Sequence, residues 1–580
     1  MSVLATAAVV WTPGLPLALA AVALVPGWAR AVAAVAWWLA PAPALVAALA
    51  PPGSLEEGSI LLGAHLQTGD ALTRGLLLAA APIWCATGRF ARTYVADSPR
   101  RDSFWFFFLM TMAGTHGAIV SADVATFYLC YALMTFAAYG LIVHERTADA
   151  RRAGRVYLAL ALLGEVLLLA AFWLVAQEDI DVPLADVPRR VASSPHRVLV
   201  VALLLGGFGV KAGAFPLHVW LPLAHPVAPA PASAVLSGLL VKAGLLGWLR
   251  FLPLGEIAVP ELAWPLGVTG LVTVFFGGVL SVAQNEAKTV LAYSTVSQMG
   301  IATAVLAVAL GEPSTSERLK IALVVFAMHH GLAKAALFLG AAVASEAGTV
   351  RARRLVATGL ALPALAIAGA PLTTGAVAKA ALAAVIEGAF AGSAALAVSL
   401  SLGAVGSALL MVRFLAIAPS PQARAGVAPR RGLWLPWVVL VAAGNGLFLA
   451  GAPPTGALAR VGSAGKLWAA IWPVAAGLTV AFLGWRWRAR RLRRLRLPAG
   501  DLVVWADAAR RRVRSRLAPL AARARARRRR VDVRGWLAEA ASVPELRRWV
   551  VEAEARLAVM RPIGLLLLAL VVALAGLLWR

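Results

Sequence analysis

The sequence predicts an all-α polytopic membrane protein with about sixteen transmembrane helices, on the length of apolar run that a bilayer requires. Of its 580 residues, 61% are hydrophobic and only 14% are charged, whereas soluble domains are about 45–50% apolar and about 25% charged. The charges are also unevenly spread, because residues 486–548 hold 21 Arg and 5 acidic residues. Both observations exclude a soluble enzyme that carries a basic tail.

Apolar runs of about 20 residues, each long enough to cross the hydrocarbon core, define the helices in order. Glycine and proline interrupt several runs, which helices inside a membrane tolerate where neighbours satisfy the freed backbone groups. The runs begin near residues 2, 31, 71, 104, 124, 155, 197, 230, 263, 288, 320, 357, 391, 434, 467 and 561.

The loops between these runs alternate in charge. The loops after the third and fifth runs read GRFARTYVADSPRR and HERTADARRAGR, whereas those after the sixth and eighth read QEDIDVPLADV and LGEIAVPE. Basic loops remain on the cytoplasmic side of a membrane. We therefore expect a multi-pass protein of the bacterial cytoplasmic (inner) membrane, with its N-terminus outside and the Arg-rich segment 486–560 in the cytoplasm.

The Arg-rich segment 486–560 is too polar to cross a membrane. Its Trp, Leu and Val residues recur at intervals of three and four among the arginines, which is typical of an amphipathic helix on a membrane surface or against a partner. A plain basic loop is the alternative. The net charge of +27 does not indicate nucleic-acid binding, because the other basic residues punctuate hydrophobic runs.

Lysine is rare in this chain and is concentrated in the apolar runs. The chain has 54 Lys and Arg residues together, but most are arginine, which stays protonated in proteins, whereas a lysine can release its proton. This usage predicts lysines that titrate within the membrane. The lysines in or at the edge of apolar runs are Lys211, Lys242, Lys288, Lys334 and Lys379.

Ionisable residues deep inside a span cost about 2.5–3.5 kcal/mol each on insertion scales, so each is a candidate functional residue. A row of such groups can pass a proton along. The alternative is a side chain that extends to the membrane edge, which suits Lys288. The candidates are Glu165, Lys211, Lys242, His329, His330, Lys334 and Lys379.

Two local patterns strengthen these candidates. His330 and Lys334 are four residues apart and share a helical face, so together they can relay protons; a hydrogen-bonded core histidine is the alternative for His330. Lys211 is followed by Pro216, and Pro371 and Gly375 precede Lys379. Helices broken at mid-membrane mark transport sites.

Four stretches resemble the antiporter-like proton-translocating subunits of respiratory complex I, membrane-bound hydrogenases of the formate hydrogenlyase type and Mrp antiporters. They are FPLHVWLPLAHPVAPAPASAVLSGLLVKAG, NEAKTVLAYSTVSQMG, HHGLAKAALFLG and GAPLTTGAVAK. The resemblance covers about residues 60–415. The segment AHPVAPAPASAVLSG is most similar to the sequences of the hydrogenase-type branch.

The resemblance implies two inverted five-helix bundles and a proton pathway through buried side chains. By this comparison the chain divides into N-terminal helices (1–103), a first bundle (104–252), a second bundle (263–417), two further helices (434–485), the amphipathic segment (486–560) and a last helix (561–580). The implied pathway residues are Lys211, Lys242, His330, Lys334 and Lys379, with His218, His225, His329 and Lys288 as secondary candidates.

The chain departs from the family pattern at two positions. The family has a glutamate within a segment such as WELMSLSSY. The corresponding segment of this chain is YALMTFAAY, which has Ala132 at the position of the glutamate. A histidine often found four residues before His330 is Phe326 here. Glu165 on the next span is the carboxylate expected to replace the missing one. Loss of coupled transport in this half is the alternative.

The function that the resemblance implies is a proton-translocating subunit of a complex I-like or hydrogenase-like redox-driven complex. The sequence shows no Rossmann glycines, Fe–S cysteine cluster or haem pattern, so we expect no cofactor, no metal and no active site of its own. Its partners would be other membrane subunits, the lipid bilayer and protons. The alternatives are a Mrp-type cation–proton antiporter subunit, with sodium as the other ion, and a membrane partner in inorganic-carbon uptake.

Overall fold

A computed structural model describes residues 2–25, 27–50, 58–60, 64–67, 69–176, 182–419, 428–449 and 464–488. Among the described residues, helices joined by turns and loops make up the fold, together with a short antiparallel ladder in which β1 (Gly58–Ile60) pairs with β2 (Ala64–Leu66). The first four helices are α1 (Ser2–Ala23), α2 (Ala29–Leu39), α3 (Ala42–Leu49) and α4 (Ala71–Tyr94). The next eight are α5 (Arg101–Val120), α6 (Val124–Ile142), α7 (Ala148–Ala176), α8 (Val187–Ser193), α9 (Arg197–Ala212), α10 (Trp220–Val227), α11 (Ala230–Val235) and α12 (Val241–Phe251). The remaining helices are α13 (Pro260–Ala283), α14 (Ala287–Gly311), α15 (Ser316–Glu346), α16 (Val350–Ala368), α17 (Thr374–Ile386), α18 (Ser393–Ile417), α19 (Arg431–Leu449) and α20 (Ala464–Arg488).

The protein is a helical, multi-pass membrane protein. Within the described residues, 13 helical segments are long and apolar enough to cross a membrane. Helices also lie at the expected twelfth and fourteenth positions, as α16–α17 and α19. The Arg-rich segment beyond Arg488 and the last expected helix at 561–580 lie outside the described residues, so the number sixteen stays a prediction.

Helix starts follow the local sequence. The Asp70 side chain accepts a hydrogen bond from the Thr73 backbone N–H at 2.5 Å and begins α4. Asp123 accepts one from the Thr126 N–H at 2.7 Å and begins α6. An aspartate at this position satisfies a backbone donor that has no partner within the helix. The start of each of these two spans is therefore encoded by a capping residue.

The central helices of the fold are buried on all sides. The span made by α11 and α12 is 100% buried within the protein, and the apolar windows of α14 and α15 are 94% buried, whereas that of α13 is 39% buried. An amphipathic or one-sided helix faces lipid, but a helix that is buried all round belongs to the core. Lys242 and Lys334 therefore lie on core helices, where an ionisable side chain is most costly.

Glycines let neighbouring helices approach closely, as is common inside membranes. A Cβ built on Gly277 of α13 would lie 2.7 Å from the Ser297 backbone nitrogen of α14, and one on Gly114 of α5 would clash with the Met134 backbone nitrogen of α6. Backbone atoms cannot move aside as a flexible side chain can. Both helix pairs therefore depend on glycine at these two positions, because any other residue would add a Cβ atom.

We expect Gly277→Ala to lower the thermal unfolding temperature of the detergent-solubilised protein by several degrees, because overpacking of this kind costs about 1–3 kcal/mol. Gly267→Ala on the same helix is the matched control, since its Cβ would lie at an ordinary 3.6 Å from the Ala307 Cβ. Equal unfolding temperatures for the two variants would contradict the close approach of α13 and α14.

A buried arginine ties α12 to α4 and α5, and the sequence analysis did not single it out. Arg250 donates hydrogen bonds to the Ser121 carbonyl at 2.9 Å, the Ile119 carbonyl at 2.7 Å and the Thr73 hydroxyl at 2.6 Å. Its guanidinium also lies 3.6 Å from the Asp70 carboxylate. Five donors in a rigid fork allow it to bind the free carbonyls at the end of α5.

Candidate functional site

The first lysine of the site, Lys211, lies where a span is broken. Helix α9 ends at Ala212, and Gly213 adopts a left-handed conformation with φ of 72°. After Pro216, a 3₁₀ turn at Leu217–Val219 leads into α10. The Trp220 indole donates a hydrogen bond to the Val210 carbonyl at 2.7 Å. One of the carbonyls freed by the break is therefore satisfied by a side chain.

Tyr157 of α7 links Lys211 to α6. The Lys211 ammonium donates a hydrogen bond to the Tyr157 hydroxyl at 2.8 Å and lies 4.7 Å from the centre of its ring. The Tyr157 hydroxyl in turn donates to the Thr135 carbonyl at 2.7 Å. Lys211 and Tyr157 are both buried. This geometry stabilises the ammonium by a hydrogen bond and by the electron-rich face of the ring.

Glu165 of α7 lies in the same cluster. It is buried, at 5% exposure, and its charge interacts electrostatically with Lys211, while the Thr135 side chain lies within hydrogen-bonding reach. Its Oε2 atom has no hydrogen-bond partner among the described residues. Ala132 is three residues before Thr135 on α6 and therefore on the same helical face. The structure thus brings Glu165 close to the position where the resemblance expects a carboxylate.

A line of hydrogen-bonding groups joins the two central lysines. The Lys242 ammonium donates to the Ser237 carbonyl at 2.6 Å, and the Ser237 and Thr295 hydroxyls are 2.9 Å apart. Thr295 donates to the Leu291 carbonyl at 3.1 Å, and the Lys334 ammonium donates to the same carbonyl at 3.0 Å. Lys334 also donates to the Ser294 hydroxyl at 2.7 Å. A π-helical turn at Leu236–Leu240 precedes α12 and contains Ser237.

Two histidines beside this line leave both ring nitrogens without a hydrogen-bond partner among the described residues: His225 and His330. His330 stacks on Phe326 at 5.6 Å and His225 stacks on Phe338 at 4.6 Å, between ring centres. The charges of Lys242 and Lys334 interact electrostatically with both rings. Buried polar atoms without a partner call for an explanation such as a proton-transfer role or a water molecule.

Lys379 lies at the second helix break. Helix α16 ends before Gly369, which has φ of 83°, and α17 begins at Thr374, with Pro371 between the helices and Gly375 in the first turn of α17. The Lys379 ammonium donates to the Ala368 carbonyl at 2.6 Å. The free carbonyls at this helix end thus accept from the lysine, as helix C-termini attract cations.

His329 connects this break to α15. A His329 ring nitrogen and the Thr374 hydroxyl are 2.7 Å apart, and the charges of Lys379 and Lys242 both act on the ring. His329 therefore links the first turn of α17, beside the second helix break, to the helix that carries Lys334.

The two other secondary candidates, Lys288 and His218, lie outside the line that joins Lys242 to Lys334. Lys288 donates to the Ala228 carbonyl at 2.7 Å, at the start of α14. The His218 ring stacks on Phe215 at 5.7 Å and meets Phe276 edge-on at 5.1 Å.

Among the described residues, no group of three or more His, Cys, Asp or Glu could hold a metal ion.

Residues 121–409, which contain all the candidate lysines and histidines, match the family model described as NADH:quinone oxidoreductase/Mrp antiporter, transmembrane. The chain belongs to this antiporter-like family. The expected resemblance is therefore confirmed, and the matched region begins just before α6 and ends within α18.

Named relatives of this antiporter-like chain are subunits of different systems. Hydrogenase-4 component B of Escherichia coli is 29% identical over 309 residues, covering 51% of this chain and 45% of the relative. Formate hydrogenlyase subunit 3 of Escherichia coli is 32% identical over 239 residues, covering 40% of this chain and 38% of the relative. The A/B subunit of a probable K⁺/H⁺ antiporter of Rhizobium meliloti is 30% identical over 306 residues, covering 50% of this chain and 30% of the relative. The chain thus spans less than half the length of each of these relatives.

Two solved structures share the fold of the antiporter-like chain. The Mrp complex from Dietzia sp. DQ12-45-1b matches with a TM-score of 0.71 and 22% identity, covering 94% of this chain and 63% of the matched chain. The membrane-bound sulfane sulfur reductase, an archaeal respiratory membrane complex, matches with a TM-score of 0.63 and 19% identity, covering 83% of this chain and 99% of the matched chain.

Sequence reasoning about the antiporter-like chain missed the uncharged groups that connect its lysines. These are Tyr157, Thr135, Ser237, Ser294 and Thr295. The available signal was a polar side chain inside an apolar span, but most such residues bond only to their own helix, as Thr303 does with the Met299 carbonyl at 2.9 Å. The contacts between helices are what distinguish Ser237 and Thr295.

We expect Thr295→Val to reduce proton transport several-fold, since it removes the hydroxyl that joins Ser237 to the Leu291 carbonyl while keeping the shape of the side chain. Thr303→Val is the matched control, because Thr303 is equally buried on α14 and bonds only within that helix. Proton uptake by membrane vesicles is the measurement. Equal losses in the two variants would show that the hydroxyl is structural.

Proposed function

We propose that this chain is a proton-translocating membrane subunit of a redox-driven complex, of the complex I-like or membrane-bound hydrogenase-like kind. The observation that supports this most strongly is the line of hydrogen-bonding groups from Lys242 to Lys334 within core helices. Ammonium groups without neighbouring carboxylates are costly there. Proton transfer explains why these ammonium groups lie in the core, whereas helix packing does not require them.

In the proposed mechanism a proton moves between lysines through hydroxyl groups, ring nitrogens and transient waters. The Ser237 and Thr295 hydroxyls both donate and accept, so they can pass a proton that reaches them from an ammonium through a transient water. The Ser237 and Leu291 carbonyls, which accept from Lys242 and Lys334, hold the ammonium groups in place and do not carry the proton. Charging one lysine disfavours charge on the next, because like charges about 10 Å apart repel by roughly 1.7 kcal/mol at an effective dielectric near 20. A proton that arrives at Lys334 would thus favour release at Lys242.

We assign pathway roles to Glu165, Lys211, Lys242, His330, Lys334 and Lys379, with secondary roles for His218, His225, His329 and Lys288. The breaks at Pro216 and at Pro371–Gly375 support two related halves, 104–252 and 263–417, in the inverted arrangement of transporters. In each half a lysine bonds near a broken helix: Lys211 to Tyr157, and Lys379 to the Ala368 carbonyl.

We further propose a bacterial cytoplasmic-membrane location with the N-terminus outside and residues 486–560 inside, on the charge of the loops. The named relatives are hydrogenase, hydrogenlyase and antiporter subunits, and the structural matches are membrane complexes. These support an assembly with other membrane subunits. Electron transfer would take place in those partners.

A Mrp-type cation–proton antiporter subunit is the second candidate. It is supported by the Mrp complex, whose match covers 94% of this chain at a TM-score of 0.71, and by the antiporter relative from Rhizobium meliloti. Both candidates use the same buried lysines, so their difference lies in the partners and in the ion that is exchanged.

The test is ion transport in sealed membrane vesicles, together with the identity of subunits that co-purify with the tagged chain. We expect proton movement to require a reductant and an electron acceptor, to be insensitive to added Na⁺ or K⁺, and to accompany redox subunits. Proton efflux driven by Na⁺ or K⁺ alone, with no redox subunit in the preparation, would support the antiporter candidate instead.

A further inference from the structure

Helix α19 carries a polar side chain, Asn445, that lies outside the region matched by the family model. That region ends at residue 409, whereas Asn445 lies near the end of α19, in the expected fourteenth span. A polar side chain inside a span is costly unless it has partners. One hydrogen of the Asn445 amide is donated to the Val441 carbonyl of the same helix at 2.8 Å. The amide oxygen and the second amide hydrogen remain for another partner.

Helix α19 is anchored to α15 and runs antiparallel to it. The Trp437 indole donates a hydrogen bond to the Ala336 carbonyl at 2.9 Å. Further along α19, a Cβ built on Gly444 would lie 3.5 Å from the Leu332 Cβ. Later positions on α19 thus meet earlier positions on α15. The residue after Gly444 therefore comes to the turn of α15 that carries His329.

A small pocket lies between α15, α16, α17 and α19, and three helices contribute polar side chains to its lining. These side chains are His329 of α15, Thr374 of α17 and Asn445 of α19. The pocket has a volume of ≈ 20 Å³, which has room for about one water molecule, and a buried water needs about two to four polar partners. We call it the α15–α19 pocket. It has both the size and the polar groups that a bound water requires.

The His329 ring can bond on two sides in this pocket. Its Nδ1 atom is 2.7 Å from the Thr374 hydroxyl, and Thr374 is its hydrogen-bond partner among the described residues. If Nδ1 carries the hydrogen and donates to Thr374, Nε2 is left as an acceptor, because a bond at one ring nitrogen sets the role of the other. A water held by Asn445 in the same pocket can donate to Nε2. The ring would then be fixed at both nitrogens.

We propose that Asn445 is a positioning residue for proton transfer at His329, acting through one water molecule in the α15–α19 pocket. A proton that arrives at this water along the pathway is matched by one that the water gives to Nε2, so the water is unchanged and the ring becomes charged. The charges of His329 and Lys379 act on each other, so a charged ring favours proton release at Lys379. The inference rests on the proposed function, because His329 must exchange protons during transport.

The test is proton transport by sealed vesicles that carry the complete complex, normalised to the amount of the chain. We expect Asn445→Leu, which keeps about the same side-chain size but cannot bond to water, to lower transport about fivefold. This change corresponds to about 1 kcal/mol, the usual contribution of one hydrogen bond. Asn445→Ser keeps a group that bonds to water and should retain most of the transport. Thr479→Val on α20 is the matched control, because Thr479 also lies outside the family match and bonds to its own helix, at the Ala475 carbonyl.

Gly444→Ala tests the water without removing a polar group. Gly444 lines the pocket, and the added Cβ would lie at an ordinary 3.5 Å from the Leu332 Cβ, so the fold should be retained. We expect the methyl group to displace the water and to lower transport as Asn445→Leu does.

Combining Asn445→Leu with His329→Leu shows whether the amide acts through the ring. We expect the double variant to transport as much as His329→Leu alone, because two side chains that serve one step are not additive. The water site is overturned by a further fivefold loss in the double variant, by Asn445→Ser transport as low as that of Asn445→Leu, or by normal transport in both Asn445→Leu and Gly444→Ala. Normal transport in Lys334→Met would instead contradict the proposed function.

Discussion

Lys334→Met is expected to lower proton transport by about 100-fold, the lower end of what a positioned proton donor contributes. Methionine keeps most of the volume of the buried side chain but cannot hold a proton. It also removes the hydrogen bonds that Lys334 donates to the Leu291 carbonyl and the Ser294 hydroxyl. The line from Lys242 would then have no titratable group at its far end, because the Leu291 carbonyl accepts hydrogen bonds but cannot carry a proton. Proton uptake by vesicles is the measurement, normalised to the amount of protein present.

Lys334→Arg separates charge from titration. Arginine keeps a positive charge but does not release its proton in proteins, so we expect transport to stay low in this variant too. Lys320→Met is the control on the same helix, because the Lys320 side chain is 37% exposed and pairs with Glu317. Normal transport in Lys334→Arg would show that Lys334 acts through its charge alone.

The sequence was sufficient to predict the helical, multi-pass class and the ionisable residues inside the spans. This is because an apolar run of span length has few other uses, and because a charge within it is costly unless it has a function. The two helix breaks were also visible, since proline and glycine within a span interrupt backbone bonding. The order and spacing of the motifs then identified the family, which the match over residues 121–409 confirms.

The connections between the ionisable residues could not be predicted. Ser237, which contacts Thr295, lies in a π-helical turn between α11 and α12, and no sequence pattern distinguishes such a turn from ordinary helix. Arg250 and Asp70 are 180 positions apart in the chain by their numbering, so their contact depends on how α4 and α12 pack. The contact between Tyr157 and Lys211 likewise depends on how α7 and α9 pack, so the sequence did not reveal it.

The missing carboxylate at Ala132 leads to the second large expected effect. Glu165→Gln should impair proton transport about 100-fold, because a charged Lys211 loses the carboxylate that acts on it. In general, opposite unit charges about 5–6 Å apart attract by roughly 3 kcal/mol at an effective dielectric near 20. Lys211 would keep its hydrogen bond to Tyr157, so folding should be retained. Asp149→Asn, in the exposed first turn of the same helix, is the control and should transport normally.

Restoring a carboxylate at the family position provides the sharper test. We expect Ala132→Glu added to Glu165→Gln to recover part of the activity, because Ala132 lies on the same face of α6 as Thr135, whose side chain is within reach of Glu165. Rescue would show that the cluster needs a carboxylate near Lys211 but accepts it from either helix. Full activity in Glu165→Gln alone would instead mean that Lys211 works with Tyr157 as its partner, and that this half of the pathway needs no internal ion pair.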